Sequence, residues 1–465
     1  MGVRLGPGWQ SPAAMPRRWL VGLFAVSAIF ASLVAIFSSD QVHQLWGAMA
    51  ACGYGLAVAA VLGWRKRGVD LALGLSFFGA LVLPLGWMAA RALEQPEVAV
   101  VARSAWTLIH QGSPYAGAAS LATTHNPNAY NPYLPVMTLF GLPRAVIGGG
   151  ALTDPRVWFG LVFLLVFWLA LRDGGARHPG RWAILIAASP VIAFELAVGG
   201  TDVPMVAFLC LGFALLWGAQ GQACRPVLAG LALGVAAAMK ATAWPAVAVA
   251  VALLAVRDGK RAVRAFILTV LAVMLVCIGP FLAHPRSLVD NTIKFPLGLA
   301  SVTSQASSPL PGHVIADTGA FGHAVVVAAL ALAGLAFAAS LIVRPPRSVP
   351  RAVALLAAAM TVMFVLAPST RFGYFIYPAT LSIWLVAVMA GRQQQEIPVT
   401  PGPDARPARS NTSLPTSPAA RPAGLCSAPS ARSTRAAWPG LGCAASARCS
   451  PGPQASRGPR RPGRA

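Results

Sequence analysis

From Leu20 onward the chain is a series of apolar runs, each roughly 16 to 22 residues long and separated by short polar or basic segments. Crossing the hydrocarbon core of a bilayer takes about 20 such residues in a helix, and within lipid only a helix or a closed barrel satisfies its own backbone. The repetition therefore specifies an all-α polytopic membrane protein. Charge agrees, since 11% of residues are charged against about 25% in a soluble domain. Leu20 to Phe37 follows Arg17 and Arg18 with no small-residue cleavage site behind it, so it reads as a first span and not as a cleaved signal peptide.

The net charge of +23 does not point to nucleic acid, because most Lys and Arg lie in short loops between apolar runs, as the positive-inside rule demands. Placing Arg17/Arg18, Arg65/Lys66/Arg67, Arg172/Arg177/Arg181, Arg225, Arg257/Lys260/Arg261/Arg264 and Arg344/Arg347/Arg351 in the cytoplasm gives about twelve transmembrane helices within residues 20–391. Residues 1–19 form a cytoplasmic N-terminus, and the two longest outer loops are 91–156 and 284–321. The runs 226–239 and 243–256 are short for spans and flank Lys240, so a broken or re-entrant pair fits them as well as two crossings. From about residue 392 to Ala465 the chain is rich in Pro, Ala, Ser and Arg with few aliphatics, which predicts a disordered basic cytoplasmic tail. The seven cysteines show neither CxxC nor His-paired spacing, so they imply no metal site and no disulfide framework.

In this topology Glu94, Glu97, Asp154, Asp202, Lys240, Asp290, Lys294 and Arg371 all fall on the outer face. Asp202, Lys240 and Arg371 adjoin apolar spans, where an ionisable group is costly unless paired or working. The stretch "EQPEVAVVARSAWTLIHQGSPY" at 94–115 predicts an amphipathic helix, with Pro96 at its first position, Gly112 at its stop and Val98, Val101, Ala105, Leu108 and Ile109 on one side. Glu97 then sits in the first turn, a position the helix dipole alone favours. "YNPYLPVMTLFGLPRAV" predicts an interfacial loop and a membrane-lying helix. Asp202 and Asp154 fit helix caps as readily as sugar-binding groups. Lys240 and Arg371 suit a lipid phosphate or simple snorkelling, and Tyr130 and Tyr133 suit a sugar ring or an interfacial belt.

The acidic residue after an early span, the helix ending in "HQGSPY", "YNPYLPVMTLFGLPRA", "GGTDVPMVAFLCLGFALL" at 199–216, "AGLALGVAAAMKATAWP" at 229–245 and "RFGYFIYPATLSIW" at 371–384 together resemble the GT-C integral-membrane glycosyltransferases. Glycosyltransferase family 87, the polyprenyl-phosphate-mannose-dependent mannosyltransferases, is the nearest in pattern. The resemblance implies a GT-C-like fold, a polyprenyl-phosphate-sugar donor, a lipid or glycan acceptor outside the membrane, and transfer with inversion. It implies a carboxylate base in the first large outer loop, which here leaves Glu97 and Glu94, with Glu97 preferred because it opens the helix. Lys240 and Arg371 would receive the phosphate, with Asp202, Asp154, Tyr130 and Tyr133 as further substrate-binding residues. No D-x-D pair, GxxxxGK[ST] loop or dinucleotide-type glycine loop occurs, which favours a lipid-linked donor over a metal or nucleotide cofactor. A transporter or flippase for lipid-linked sugars is the alternative, although the two halves show no repeated pattern.

Overall fold

The computed structural model describes residues 12, 15–218, 221–296, 300, 302 and 306–395. From residue 396 on, the basic tail expected from the sequence lies outside the described residues. The principal helices are α1 (Arg17–Phe37), α2 (Gln41–Gly63), α3 (Gly68–Ala90), α4 (Pro96–Gln111), α5 (Pro135–Ile147), α6 (Pro155–Gly174), α7 (Pro179–Ala187), α8 (Pro190–Val198), α9 (Val203–Trp217), α10 (Cys224–Ala237), α11 (Trp244–Arg257), α12 (Gly259–Ile278), α13 (Ala320–Val343), α14 (Val349–Leu366) and α15 (Ile376–Gln395). Among the described residues there is no strand beyond an isolated bridge between Ser307 and Thr370.

Eight helices are long and apolar enough to cross a membrane, and the α7–α8 pair makes a ninth if it is one span. These make the chain a multi-pass, all-helical membrane protein. Each apolar run of the sequence coincides with a helix or a helix pair, but not all are straight or full length. The apolar run over 182–199, long enough for one of the spans counted from the sequence, bends by 60° at Ser189–Pro190. Pro190 lacks the N–H that would continue the α7 ladder; Ile192 N–H bonds the Ser189 carbonyl, and Tyr54 donates to that of Ala188 at 2.5 Å. Helices α9, α10 and α11, of 15, 14 and 14 residues, reach only about 21 to 23 Å. The last two are separate helices joined through Lys240.

At one end of the bundle Asp70 pairs with Arg181, Asp173 with Arg225, and Arg257 donates to the Leu216 carbonyl. The basic loops used to orient the sequence thus gather together. The opposite end carries the first outer loop. Its helix α4 runs from Pro96 to a C-terminal Gly112 at φ 72°, as the sequence predicts. It buries Val98, Val101 and Ala105 against α5, where Gly141 lets the backbones meet: a Cβ there would stand 2.4 Å from the Val101 carbonyl oxygen.

Small residues do the same work between spans, since lipid gives helices no hydrophobic drive to associate and close van der Waals approach must suffice. Gly53 of α2 faces Gly79 of α3, and a Cβ on Gly53 would fall 2.7 Å from the Gly79 Cα. Gly55, two residues along, meets nothing within 4 Å. Gly53→Ala is expected to lower the apparent Tm of the purified protein in detergent by several degrees, because two backbones must separate. Gly55→Ala should leave it unchanged or raise it slightly, since Ala favours a helix by roughly 0.8 to 1 kcal/mol over Gly.

Candidate active site

Two main-chain ties draw the first outer loop onto the bundle. Gln95 N–H donates to the Val198 carbonyl at the end of α8, and Leu134 and Val136 N–H donate to Met239 and Ala238 just after α10. The second outer loop is tied in the same way, with Ser308 N–H donating to Thr370 and Thr370 N–H to Ala306. These contacts set the first turn of α4 and the α10–α11 junction beside the segment that precedes α15.

Ionisable side chains from those segments converge. Arg371 donates to Glu97 Oε1. Lys240 donates to Asp202 Oδ1, and the Tyr377 hydroxyl donates to the same oxygen. Tyr377 is in turn hydrogen-bonded to Thr242 at 3.1 Å. The Lys240 ammonium lies 5.4 Å from the ring centroids of both Tyr133 and Tyr374, close enough for cation–π attraction. Burial by itself lowers the Lys240 pKa, but Asp202, with Tyr374 and Glu97, outweighs it and holds the ammonium above its ordinary value. Arg371 follows the same pattern: burial pulls its pKa down, and Glu97 with the two tyrosines carries it up. Burial and the carboxylates of Glu97 and Asp202 push the Tyr133 hydroxyl well up, so it stays neutral and cannot serve as a base.

Glu97 Oε2 is buried and has no hydrogen-bond partner among the described residues. A buried carboxylate oxygen left unsatisfied is costly, and its sister oxygen is fixed by Arg371. The second oxygen is therefore held in place with its hydrogen-bonding capacity unused.

Of the residues singled out in the sequence, Glu97, Asp202, Lys240, Arg371 and Tyr133 come together. Glu94 pairs with Arg144 at 3.0 Å. Asp154 caps α6 and pairs at 2.7 Å with the fully buried Arg156, whose guanidinium also donates to the Leu93 and Ala197 carbonyls; its charge is absorbed by the scaffold. Tyr130 stacks on Phe295 with centroids 4.7 Å apart, in a small separate apolar cluster. Lys294 pairs with Asp290 at 2.7 Å.

Four participants were not singled out in the sequence. Tyr374 and Tyr377 lie within "RFGYFIYPATLSIW", where nothing marks them apart from their neighbours. His43, hydrogen-bonded to the Gln95 side chain at 2.7 Å, opens the second span without any spacing signal. Glu195 did have one: it is a lone carboxylate inside "VIAFELAV", where an acid is expensive in an apolar run.

Membrane-spanning helices around a polar cluster at one end of the bundle define an integral-membrane protein. The profile of glycosyltransferase family 87 matches residues 131–368, just over half of the 465, and the chain belongs to that family. The matched stretch holds Glu195, Asp202 and Lys240, while Glu97 and Arg371 flank it. No curated protein matches the chain. Among solved structures it is similar to ArnT from Cupriavidus metallidurans in the apo state, at 19% identity and TM-score 0.42, over 70% of this chain and 60% of that one. The same protein bound to undecaprenyl phosphate gives 17% and 0.43, over 72% and 61%. The Archaeoglobus fulgidus oligosaccharyltransferase in its apo form gives 14% and 0.34, over 81% and 51%. The chain thus spans about 60% of the length of the ArnT chains.

Asp202→Asn leaves the buried Lys240 charge without its counter-ion, for which about 3 kcal/mol of stability is the expected loss. The double variant Asp202→Asn/Lys240→Met should recover most of it, as measured by thermal unfolding in detergent. Because the Lys240 pKa is raised on folding, the pair's contribution is full below the ordinary lysine value of about 10.4. It is lost only as pH rises through the higher folded-state value.

Proposed function

We propose that the chain transfers a sugar from a polyprenyl-phosphate donor to an acceptor hydroxyl on the extracytoplasmic face of the membrane, inverting the anomeric centre. The observation that carries this reading is the unsatisfied Oε2 of Glu97, held by an arginine beside a second, part-buried cation. Family membership supports glycosyl transfer. The gathering of basic loops at the opposite end of the bundle supports the extracytoplasmic side for the site.

The chemistry follows from the residue types. The acceptor hydroxyl hydrogen-bonds to Glu97 Oε2, and its oxygen attacks the anomeric carbon from the face opposite the phosphate. The bond from that carbon to the phosphate oxygen breaks, its electron pair stays on the phosphate, and the hydroxyl proton passes to Glu97. Polyprenyl phosphate leaves as a stable anion, so no second acid is required, provided cations receive it. Arg371 and Lys240 are those cations. With Arg371 drawn toward phosphate, its hold on Glu97 Oε1 loosens, and the base strengthens when donor is present. Mannose is the sugar expected for the family, with a lipid or glycan as acceptor.

The test is transfer of radiolabel from polyprenyl-phosphate-mannose to membrane lipids, using membranes that carry the wild type or Glu97→Gln at equal expression. Glu97→Gln should lose about 10²- to 10⁴-fold in rate, the usual contribution of a positioned base. Arg371→Gln should weaken both donor binding and turnover. Equal transfer by wild type and Glu97→Gln would overturn the assignment of the base.

A further inference from the structure

Three carboxylates, Glu97, Asp202 and Glu195, surround Arg371 and Lys240, and the first two are paired with those cations. The third, Glu195, stands on α8 beyond the 60° bend. Its carboxylate rests against the backbone of Gly373, two residues after Arg371: a Cβ built on Gly373 would lie 2.2 Å from Glu195 Oε1 and 2.9 Å from Oε2. Asp202, Glu97, Arg371 and Lys240 are all within its electrostatic reach. The side chain is partly exposed. Among the described residues it makes neither an ion pair nor a side-chain hydrogen bond.

That isolation is unusual for a carboxylate in an apolar helix. The scaffold acids of this chain are matched: Glu94 with Arg144, Asp154 with Arg156, Asp173 with Arg225. Both cations beside Glu195 are committed to other carboxylates, Arg371 to Glu97 and Lys240 to Asp202. Three carboxylates thus face two cations, and a donor phosphate adds further negative charge. A group that served only to pack α8 would be cheaper as Gln or Leu. What an unpaired carboxylate in a polar site offers is strong acceptance from hydroxyls. Its place beside the residues assigned to the phosphate puts it next to the sugar that the phosphate carries, one bond away.

We propose that Glu195 determines specificity for the transferred sugar, its two oxygens accepting hydrogen bonds from hydroxyls of a neutral sugar on the lipid-linked donor. Sugars bearing a carboxylate are disfavoured, because they would bring a further carboxylate to a site already lined by three. The assignment rests on the glycosyl-transfer reading and goes beyond it in naming the residue that selects the sugar and the charge class it admits.

The experiment uses the full-length protein in nanodiscs with polyprenyl-phosphate donors carrying mannose, glucose, galactose or arabinose. The best of these is then compared with its single-deoxy forms and with its uronic-acid counterpart. For the wild type, one or two of the deoxy donors should lose about 10- to 100-fold in kcat/KM, the effect of removing a hydrogen bond to a charged group. Glu195→Gln should lose a similar factor on the parent donor but little more on those same deoxy donors, and it should narrow the gap to the uronic-acid donor. Gly373→Ala gives a second route, because its methyl displaces the flexible carboxylate without removing it and should flatten the same deoxy discrimination. A merely structural Glu195 would lower all donors equally. Glu195→Gln matching the wild type, or remaining as sensitive to each deoxy donor, overturns the proposal. No transfer from any donor by the wild type overturns the glycosyl-transfer reading instead.

Discussion

The site depends on the Asp202–Lys240 ion pair. It joins the start of α9 to the junction of α10 and α11, and Tyr377 of α15 donates to the same carboxylate oxygen. Three parts of the bundle therefore meet at one charge. A lysine so placed is tolerable only because Asp202 neutralises it and two tyrosine rings lie near it. Without that pair the ends of these short helices would present unmatched charge to one another. The second pair, Glu97 with Arg371, adds the first outer loop and the segment before α15.

Short and broken helices are the means by which a lipid-embedded bundle makes room for such a site. Irregular backbone is allowed at membrane depth only where protein or a polar cavity covers it. Here the interruptions lie close to the site: the bend at Pro190 is followed by Glu195, and the α10–α11 junction carries Lys240. Backbone bonds from Leu134 and Val136 to Met239 and Ala238, respectively, then satisfy carbonyls left at the end of α10, and in doing so they seat the outer loop beside Lys240.

The pairing also bears on catalysis. In the absence of donor, each cation holds a carboxylate, so neither charge is bare. In the reaction proposed above, exchange of a carboxylate for phosphate would cost little electrostatically and would release the base as its substrate arrives. In the proposed reaction Glu195 stands outside this exchange, and the proposal leaves its carboxylate to the sugar.

Hydropathy and charge bias were enough to read the helical membrane fold, the gathering of the basic loops at one end and the bounds of α4 from Pro96 to Gly112, because each depends on local composition or on chain-wide rules that a sequence carries openly. Residue type also marked Glu97, Asp202, Lys240 and Arg371, since ionisable groups beside apolar runs are conspicuous. Which of them pair could not be read: Glu97 and Arg371 are 274 residues apart, and no spacing rule operates at such a distance. Asp154, Tyr130 and Glu94 were candidates in sequence as well, and only packing showed that Arg156, Phe295 and Arg144 engage them. Tertiary structure alone decided that Glu195, an acid in the middle of an apolar run, faces the same site without a partner among the described residues, because that depends on a bend at Pro190 and on the missing side chain of Gly373.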